Sequence, residues 1–303
     1  MHSVLTLGTP RRAINANGTK DGNRLMRRRI VAALFVFSVF SGCCGRLVAD
    51  STPTPTQLDS GYRYLYNLQF EQAHSAFREW ESLHPADPMG PVSDAAAYLF
   101  SEFNRLHVLE VELFVDDAKF ENRTQSAPDQ TAKQGFESQL TKGKQLADGI
   151  LAHDPNNPDA LFASIMVLGL RGDYAALIEK RDFAGLGYIK TGRALAEKLL
   201  AANPSYYDAY LAVGVENYLL SLKPAPMRWI LRLGGAETDK TTGLAKLRIT
   251  AAKGHYLLPY ARLLLAVAAL RDGDRIGART LLQGLAHEFP QNLLYAKELA
   301  KLQ

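Results

Sequence analysis

GKQLADGILAHDPNNPDA, residues 143–160, recurs as GRALAEKLLAANPSYYDA at residues 192–209, and this repeat decides the fold. The two segments are offset by 49 positions, with eight of their 18 residues identical and four more changed conservatively. In each copy apolar residues fall at helical spacing, and a proline follows where the helix has to end. Repetition of a helix together with its stop signal indicates an array of similar helical units.

The first copy indicates how such a unit packs. Leu146, Ala147 and Ile150 lie on one apolar stripe, and the small Ala147 allows a neighbouring helix to approach closely. Pro155 ends this helix. Asp159 is then placed to cap the next helix or to lie in its first turn as an acid.

Helical periodicity continues along the rest of the chain. From Gln57 onward apolar residues recur at helical spacing, and no stretch has the sustained alternation of a strand. We interpret Gly172-Asp173-Tyr174 and Gly273-Asp274 as turns between helices. Helix-breaking prolines separate the helical stretches. They are Pro85, Pro155, Pro158, Pro204 and Pro290. The predicted fold class is all-α.

One family pattern matches the first two predicted helices. In that pattern a glycine precedes a tyrosine by three residues, an alanine precedes an aromatic residue by four, and a proline closes the unit. The matching residues are Gly61, Tyr64, Ala73, Phe77 and Pro85. Ser60 and Gln57 replace the usual Leu and Trp. The segment resembles the tetratricopeptide repeat (TPR), which implies stacked helical hairpins.

The spacing of the units is irregular. The closing prolines are not separated by multiples of the 34-residue TPR period, so we expect about four to six helix pairs with insertions. The prediction for residues 58–303 is an irregular TPR-like helical-hairpin solenoid. Val115 to Gly135 is polar and is predicted to form an exposed loop.

Two sets of residues are candidates for binding a partner. Lys223 to Lys240 contains a short amphipathic stretch with Arg228, Trp229 and Arg232, residue types that often anchor interfaces. Tyr206 and Tyr210 belong to a tyrosine-rich stretch that would suit a concave binding face. For both sets packing within the fold is the commoner role of large aromatic residues.

The N-terminal segment predicts export. Residues 1–25 are a polar extension, and residues 26–42 have the order of a signal peptide: three arginines, an apolar run and small residues. Phe40-Ser41-Gly42-Cys43 resembles the bacterial lipobox, which implies lipidation of Cys43. Residues 43–57 would form a tether to the membrane surface.

Two alternatives to lipidation remain open. Cleavage after Gly45 or Ala49 would give a freely secreted periplasmic protein. The other alternative is an uncleaved N-terminal helix that anchors the protein in the membrane. The apolar run has about half of the roughly 20 residues that span a bilayer, which disfavours this alternative. Cys43 and Cys44 are the only cysteines, so no framework disulfide is expected.

The charge distribution excludes a nucleic-acid partner. The whole chain has a formal net charge of +4. Residues 1–42 contain seven basic residues against Asp21 alone and carry +6, which leaves about −2 for the rest. A nucleic-acid binder needs its positive charge in the folded domain, where phosphates are neutralised.

Patterns for catalysis, cofactors and metals are weak. Residues 187–194 approach the phosphate-loop pattern but have Arg-Ala in place of Lys-Ser/Thr. No HExxH or zinc-spaced cysteine pair occurs, so we expect no cofactor and no metal. The remaining enzyme hypothesis is a carboxylate pair, Glu102 with Glu110 and Glu112 on one helix.

The function expected from these observations is a non-catalytic scaffold. It would be exported, anchored at the periplasmic face of a bacterial membrane, and would present a groove to a protein or peptide. The alternatives are a helical hydrolase acting on the cell wall and a freely secreted periplasmic binding module. A hydrolase requires at least two carboxylates that converge in one pocket.

Overall fold

The structure is a computed structural model that describes residues 55–110, 115, 127–222 and 239–302. Eleven α-helices and no strand occur in these residues, so the predicted all-α class is confirmed. The helices are α1 (Gln57–Tyr66), α2 (Phe70–Leu83), α3 (Met89–Arg105), α4 (Gln130–His153), α5 (Pro158–Asp173), α6 (Asp182–Ala202), α7 (Tyr210–Ser221), α8 (Lys240–Lys253), α9 (Leu258–Arg271), α10 (Arg275–Glu288) and α11 (Leu293–Ala300). A π-helical turn, Tyr174–Ile178, extends α5, and a 3₁₀ turn, Tyr207–Ala209, precedes α7.

The helices form a solenoid of hairpins. Each helix packs on the next one in the chain, which gives five consecutive pairs followed by the single helix α11. This number lies within the predicted range. The internal gaps in the described residues fall between α3 and α4 and between α7 and α8, so they lie within hairpins.

Polar residues before the helices set where they begin. The Thr56 hydroxyl accepts a hydrogen bond from the Asp59 amide at 3.1 Å and thereby caps α1. At α5 the cap is Asn157, and Asp159 lies in the first turn as one of the two predicted positions. Asp274 caps α10 after Gly273, whose φ of +77° makes the predicted turn.

The small residues of the repeat serve close helix contacts, as predicted. Ala147 and its equivalent Ala196 are fully buried. A Cβ atom at Gly143 would lie 2.5 Å from a Val92 methyl carbon, so the Val92 side chain of α3 packs directly on the α4 backbone there. At the front of the chain, a Cβ atom at Gly61 would lie 2.2 Å from the Phe77 ring.

Two predicted loop segments are helical, and both predictions are wrong in that respect. Gln130–Gly135 belongs to α4, because Asp129 accepts a hydrogen bond from the Ala132 amide and starts the helix. Gly172 and Asp173 belong to α5 and not to a turn. Gly172 allows close approach of α6, since its Cβ position lies 3.5 Å from the Gly185 carbonyl oxygen.

The array closes on itself through α1. The Tyr66 hydroxyl donates to the Tyr256 carbonyl at 2.8 Å, and the Tyr62 and Tyr256 rings stack at 4.6 Å. The Asn292 side-chain amide donates to the Tyr66 carbonyl at 2.9 Å. The Gln291 amide donates to the Asn67 side chain at 3.1 Å. The first and last hairpins are thus joined by directional bonds and by ring contacts.

Charged side chains on the outside support the same closure. His255 Nε2 lies 2.6 Å from an Asp59 carboxylate oxygen, and Lys297 Nζ donates to Glu110 at 2.9 Å. These pairs are partly exposed, and pairs of this kind contribute about 0–1 kcal/mol each. The aromatic and backbone contacts therefore contribute most of the free energy that stabilises the closure.

One helical stretch in the described part of the chain, Pro158–Ile178, is long and apolar enough by composition to cross a membrane. Most of it is buried by the surrounding helices. It is the central helix of the fold, and its burial accounts for its apolar composition. The predicted extension, signal peptide and Cys43, at residues 1–54, lie outside the described residues.

Gly61→Ala should destabilise the protein by about 1–3 kcal/mol, because the added methyl group would collide with the buried Phe77 ring. Urea unfolding followed by circular dichroism measures the difference. The matched control is Gly149→Ala on the exposed face of α4, where no atom lies within 4 Å of the new methyl group. It should stabilise by about 0.5–1 kcal/mol. If both substitutions changed the free energy of unfolding equally, the close contact between Gly61 and Phe77 would be contradicted.

Candidate binding cavity

The inner helices enclose an apolar cavity of about 100 Å³ that is partly open to solvent. The lining comes from α1, α3, α5, α6, α7 and α9, so hairpins from the whole chain contribute to one space. The lining residues are Tyr62, Leu65, Tyr66, Ala96, Phe100, Ile165, Met166, Gly169, Leu170, Asp173, Tyr188, Ile189, Gly192, Asp208, Leu211, Ala212, Val215, Leu257 and Tyr260. The cavity exists because α1 meets the C-terminal helices and closes the concave side of the solenoid.

A second, smaller cavity of about 20 Å³ adjoins the first. Four residues line both: Leu65, Tyr66, Phe100 and Tyr260. The Phe100 ring lies edge-on to Tyr66 at 6.5 Å and to Tyr260 at 5.8 Å. These three rings therefore form the partition between the two spaces.

Gly169 widens the cavity on the α5 side. It is exposed although it belongs to a largely buried helix, and no atom lies within 4 Å of its Cβ position. A glycine inside a helix destabilises by about 0.5–1 kcal/mol relative to alanine. Here the missing side chain leaves open space where helix packing would otherwise fill it.

Asp173 brings an acid into this apolar space. Its side chain lies deep in the fold but keeps some accessible surface, because that surface faces the cavity. Burial raises the pKa of the Asp173 carboxyl from 3.8 to about 7, and a hydrogen bond from the Tyr260 hydroxyl opposes part of that rise. The Tyr260 pKa is raised well above its usual value by burial and by the negative charge of Asp173.

Asp208, the second acid of the cavity, holds the backbone that precedes α9. Its carboxylate accepts hydrogen bonds from the backbone amides of His255, Tyr256 and Leu257 at 2.9–3.1 Å. These amides precede α9, whose N-terminus favours a negative charge. Burial raises the Asp208 pKa, and the three amides act in the opposite direction.

The two described residues that are predicted to bind a partner, Tyr206 and Tyr210, do not line the cavity. Tyr206 packs on Phe162 with 5.0 Å between ring centroids, and its hydroxyl donates to Asp159 at 3.1 Å. The Tyr210 hydroxyl donates to the Pro204 carbonyl, and Lys246 lies over its ring. Both tyrosines therefore make contacts within the fold. Arg228, Trp229 and Arg232, with Cys43, lie outside the described residues.

The two described carboxylates of the predicted catalytic pair, Glu102 and Glu110, are each paired with a basic side chain. Glu102 is buried, binds the Arg105 guanidinium at 2.6 and 2.8 Å and accepts from the Asp129 amide. Glu110 pairs with Lys297, which lowers the Glu110 pKa. Glu112 lies outside the described residues. No cluster of His, Cys, Asp and Glu suited to a metal occurs in the part of the chain that the structure describes.

Sequence reasoning missed Asp173, Tyr260 and Gly169. Asp173 was assigned to a turn, because Gly-Asp commonly marks one. The only signal for the cavity was the glycine at 169 inside an otherwise apolar helix, where helix propensity disfavours it. Asp208 was within the quoted repeat, as the equivalent of Asp159, but its partners lie 47–49 residues away.

Comparison with known proteins identifies no relative. No family model, no curated protein and no solved structure matches this chain. The functional argument therefore rests on the chemistry of the cavity.

Asp173→Asn should change how stability depends on pH. Since the folded-state pKa is raised, the protonated acid favours folding, and this contribution is lost as pH rises from 3.8 through about 7. Relative to the Asn variant, the wild type should lose on the order of 2–4 kcal/mol between pH 4 and pH 8.5. Urea unfolding at several pH values measures this.

The control for this measurement is Asp148→Asn, which removes an exposed carboxylate on α4 that pairs with Lys144. Its stability should follow the wild-type pH trend. A difference between wild type and Asp173→Asn that is the same at pH 4 and pH 8.5 would show that the acid is not desolvated by the cavity.

Proposed function

We propose that this chain is a non-catalytic binding protein that holds a small apolar ligand inside a closed ring of TPR-like helix pairs. The observation that carries the proposal is the apolar cavity left when α1 meets the C-terminal helices. Small-molecule sites are concave, mostly apolar and furnished with few polar groups. The contact of Gly61 with Phe77 supports the TPR-like character of the first pair.

The size of the cavity favours a ligand over a peptide or polysaccharide. An engineered apolar cavity of about 150 Å³ binds benzene, so by proportion a space of about 100 Å³ holds roughly four non-hydrogen atoms, and its opening to solvent gives room for about two more. A hydrolase of the cell wall needs room for a sugar chain and two free carboxylates. Asp208 is engaged by three backbone amides, which leaves Asp173 as the one available acid among the described residues that line the cavity.

Benzene should stabilise the wild-type protein. A ligand that binds only the folded state adds about 1.4 kcal/mol at ten times its Kd, which raises Tm by a few degrees. Gly169→Leu should raise Tm without ligand, since leucine favours the helix and fills open space, and should remove the benzene effect.

The matched control is Gly284→Leu on α10, where no atom lies within 4 Å of the Cβ position and the surface is exposed. It gains the same helix propensity but leaves the cavity alone, so its response to benzene should equal that of the wild type. If benzene raises the Tm of neither the wild type nor Gly284→Leu, the cavity does not bind apolar molecules. The same conclusion follows if benzene also raises the Tm of Gly169→Leu.

We further propose that the protein is exported and anchored by lipid at Cys43 to the periplasmic face of a bacterial membrane. The arginines, apolar run and small residues before Cys43 support this. Expression from Met26 in a Gram-negative host should give acyl labelling and membrane association, and Cys43→Ser should lose both. Membrane association that survives in Cys43→Ser without label would instead favour an uncleaved helix.

A protein-scaffold function is a second candidate, favoured by apolar side chains at the C-terminal end. Ile276 on α10 and Leu293 on α11 are 82% and 75% exposed. End units of solenoids usually carry polar outer faces, so exposed apolar residues there suit a protein contact. A photocrosslinker at position 276 should trap one discrete partner in the native host. A crosslinker at Lys144, an exposed position on α4, should not.

A further inference from the structure

The described charged groups of the cavity all have the same sign. Among the 19 described residues that line it, the only ionisable groups besides tyrosines are Asp173 and Asp208. No lysine, arginine or histidine is among these described lining residues. A carboxylate or phosphate ligand would therefore enter an apolar site against two acids, with no cation to compensate its charge.

Only one of the two acids lacks compensation. Asp208 accepts three backbone hydrogen bonds at the start of α9. Asp173 receives a hydrogen bond from the Tyr260 hydroxyl, and within the described residues no lysine, arginine or histidine forms an ion pair with it. An ionised carboxylate has about four lone-pair sites, so acceptor capacity remains at Asp173 for a donor in the cavity.

Aromatic rings surround the same space. Tyr62, Tyr66, Phe100, Tyr188 and Tyr260 all line the cavity. The face of an aromatic ring carries partial negative charge and attracts cations, most strongly where water is excluded. Rings and carboxylate together favour a positive charge and disfavour a negative one.

We propose that the cavity selects a small apolar amine, whose ammonium group lies at Asp173 and whose hydrocarbon part lies among the aliphatic side chains of α5 and α7. This inference rests on the proposed ligand-binding function and specifies its ligand. It gives Asp173 a binding role. The apolar surroundings offer this carboxylate few hydrogen-bond donors and no positive charge, and an ammonium group supplies both.

The test compares three probes of one length: pentylamine, 1-pentanol and pentanoate. Isothermal titration calorimetry at pH 8 uses the full-length chain in zwitterionic phospholipid nanodiscs, with empty nanodiscs as the blank. At this pH most of Asp173 is ionised and pentylamine is protonated. Pentylamine should bind about tenfold or more tightly than 1-pentanol, and pentanoate should bind weakest.

Asp173→Asn tests the contribution of the carboxylate charge to the affinity for the amine. It keeps the shape of the side chain, so 1-pentanol should bind as in the wild type, whereas the affinity for pentylamine should fall about tenfold to the level of the alcohol. Gly169→Leu should lose both ligands, which ties the amine site to the cavity. Asp148→Asn on the outer surface should change neither affinity.

The outcomes separate the two proposals. If 1-pentanol binds and pentylamine binds no better, or if Asp173→Asn leaves the pentylamine affinity unchanged, the cavity binds ligands but the amine selectivity is wrong. If pentanoate binds best, the cavity favours a negative charge over a positive one and the proposed amine selectivity is wrong. If no probe binds, the proposed ligand-binding function itself fails.

Discussion

The contacts of Tyr66 with the C-terminal hairpins are the interaction on which the rest of this structure depends. Its hydroxyl donates to the Tyr256 carbonyl, its own carbonyl accepts from Asn292, and its ring lies 5.5 Å from Phe289. An open solenoid would leave its concave side to solvent. Closure removes that side from water and turns a row of inner helices into the wall of a cavity, so the apolar lining and the shifted acid are both consequences of it.

The closure itself depends on a change between the two copies of the repeat. Asp159 in the first copy lies in the first turn of α5 and accepts one side-chain hydrogen bond, from the Tyr206 hydroxyl 47 positions away. Its equivalent, Asp208, instead binds the three amides before α9 and so fixes the backbone of residues 255–257. Tyr256, within that segment, presents the carbonyl that Tyr66 binds. The acid at the same repeat position thus accepts one side-chain hydrogen bond in one hairpin and bonds from three backbone amides in the next, and the second set holds the segment that Tyr66 binds.

Sequence patterns could predict the helices and their stops but not the cavity. Period, prolines and turn residues act within a few positions, so the stripe around Ala147 and the turn at Gly273-Asp274 were accessible to local reasoning. The bond from Tyr66 to Tyr256 spans 190 positions and uses a backbone carbonyl, which carries no sequence signal. Gly172-Asp173 was misassigned for a related reason. A glycine that permits helix approach and a glycine that makes a turn are the same letter, and only the Gly185 backbone facing it distinguishes them.

The central helix α5 carries two local features that oppose stability on one face. Gly169 and Asp173 are four residues apart, so they lie one turn apart on the same side of the helix, and both line the cavity. Glycine weakens the helix and leaves space, and the acid loses hydration in apolar surroundings. Packing alone would favour an aliphatic side chain at each position, as Ile165 and Met166 provide on the preceding turn. A ligand with an apolar body and a cationic group accounts for both departures together, because the glycine makes the room and the acid supplies the charge.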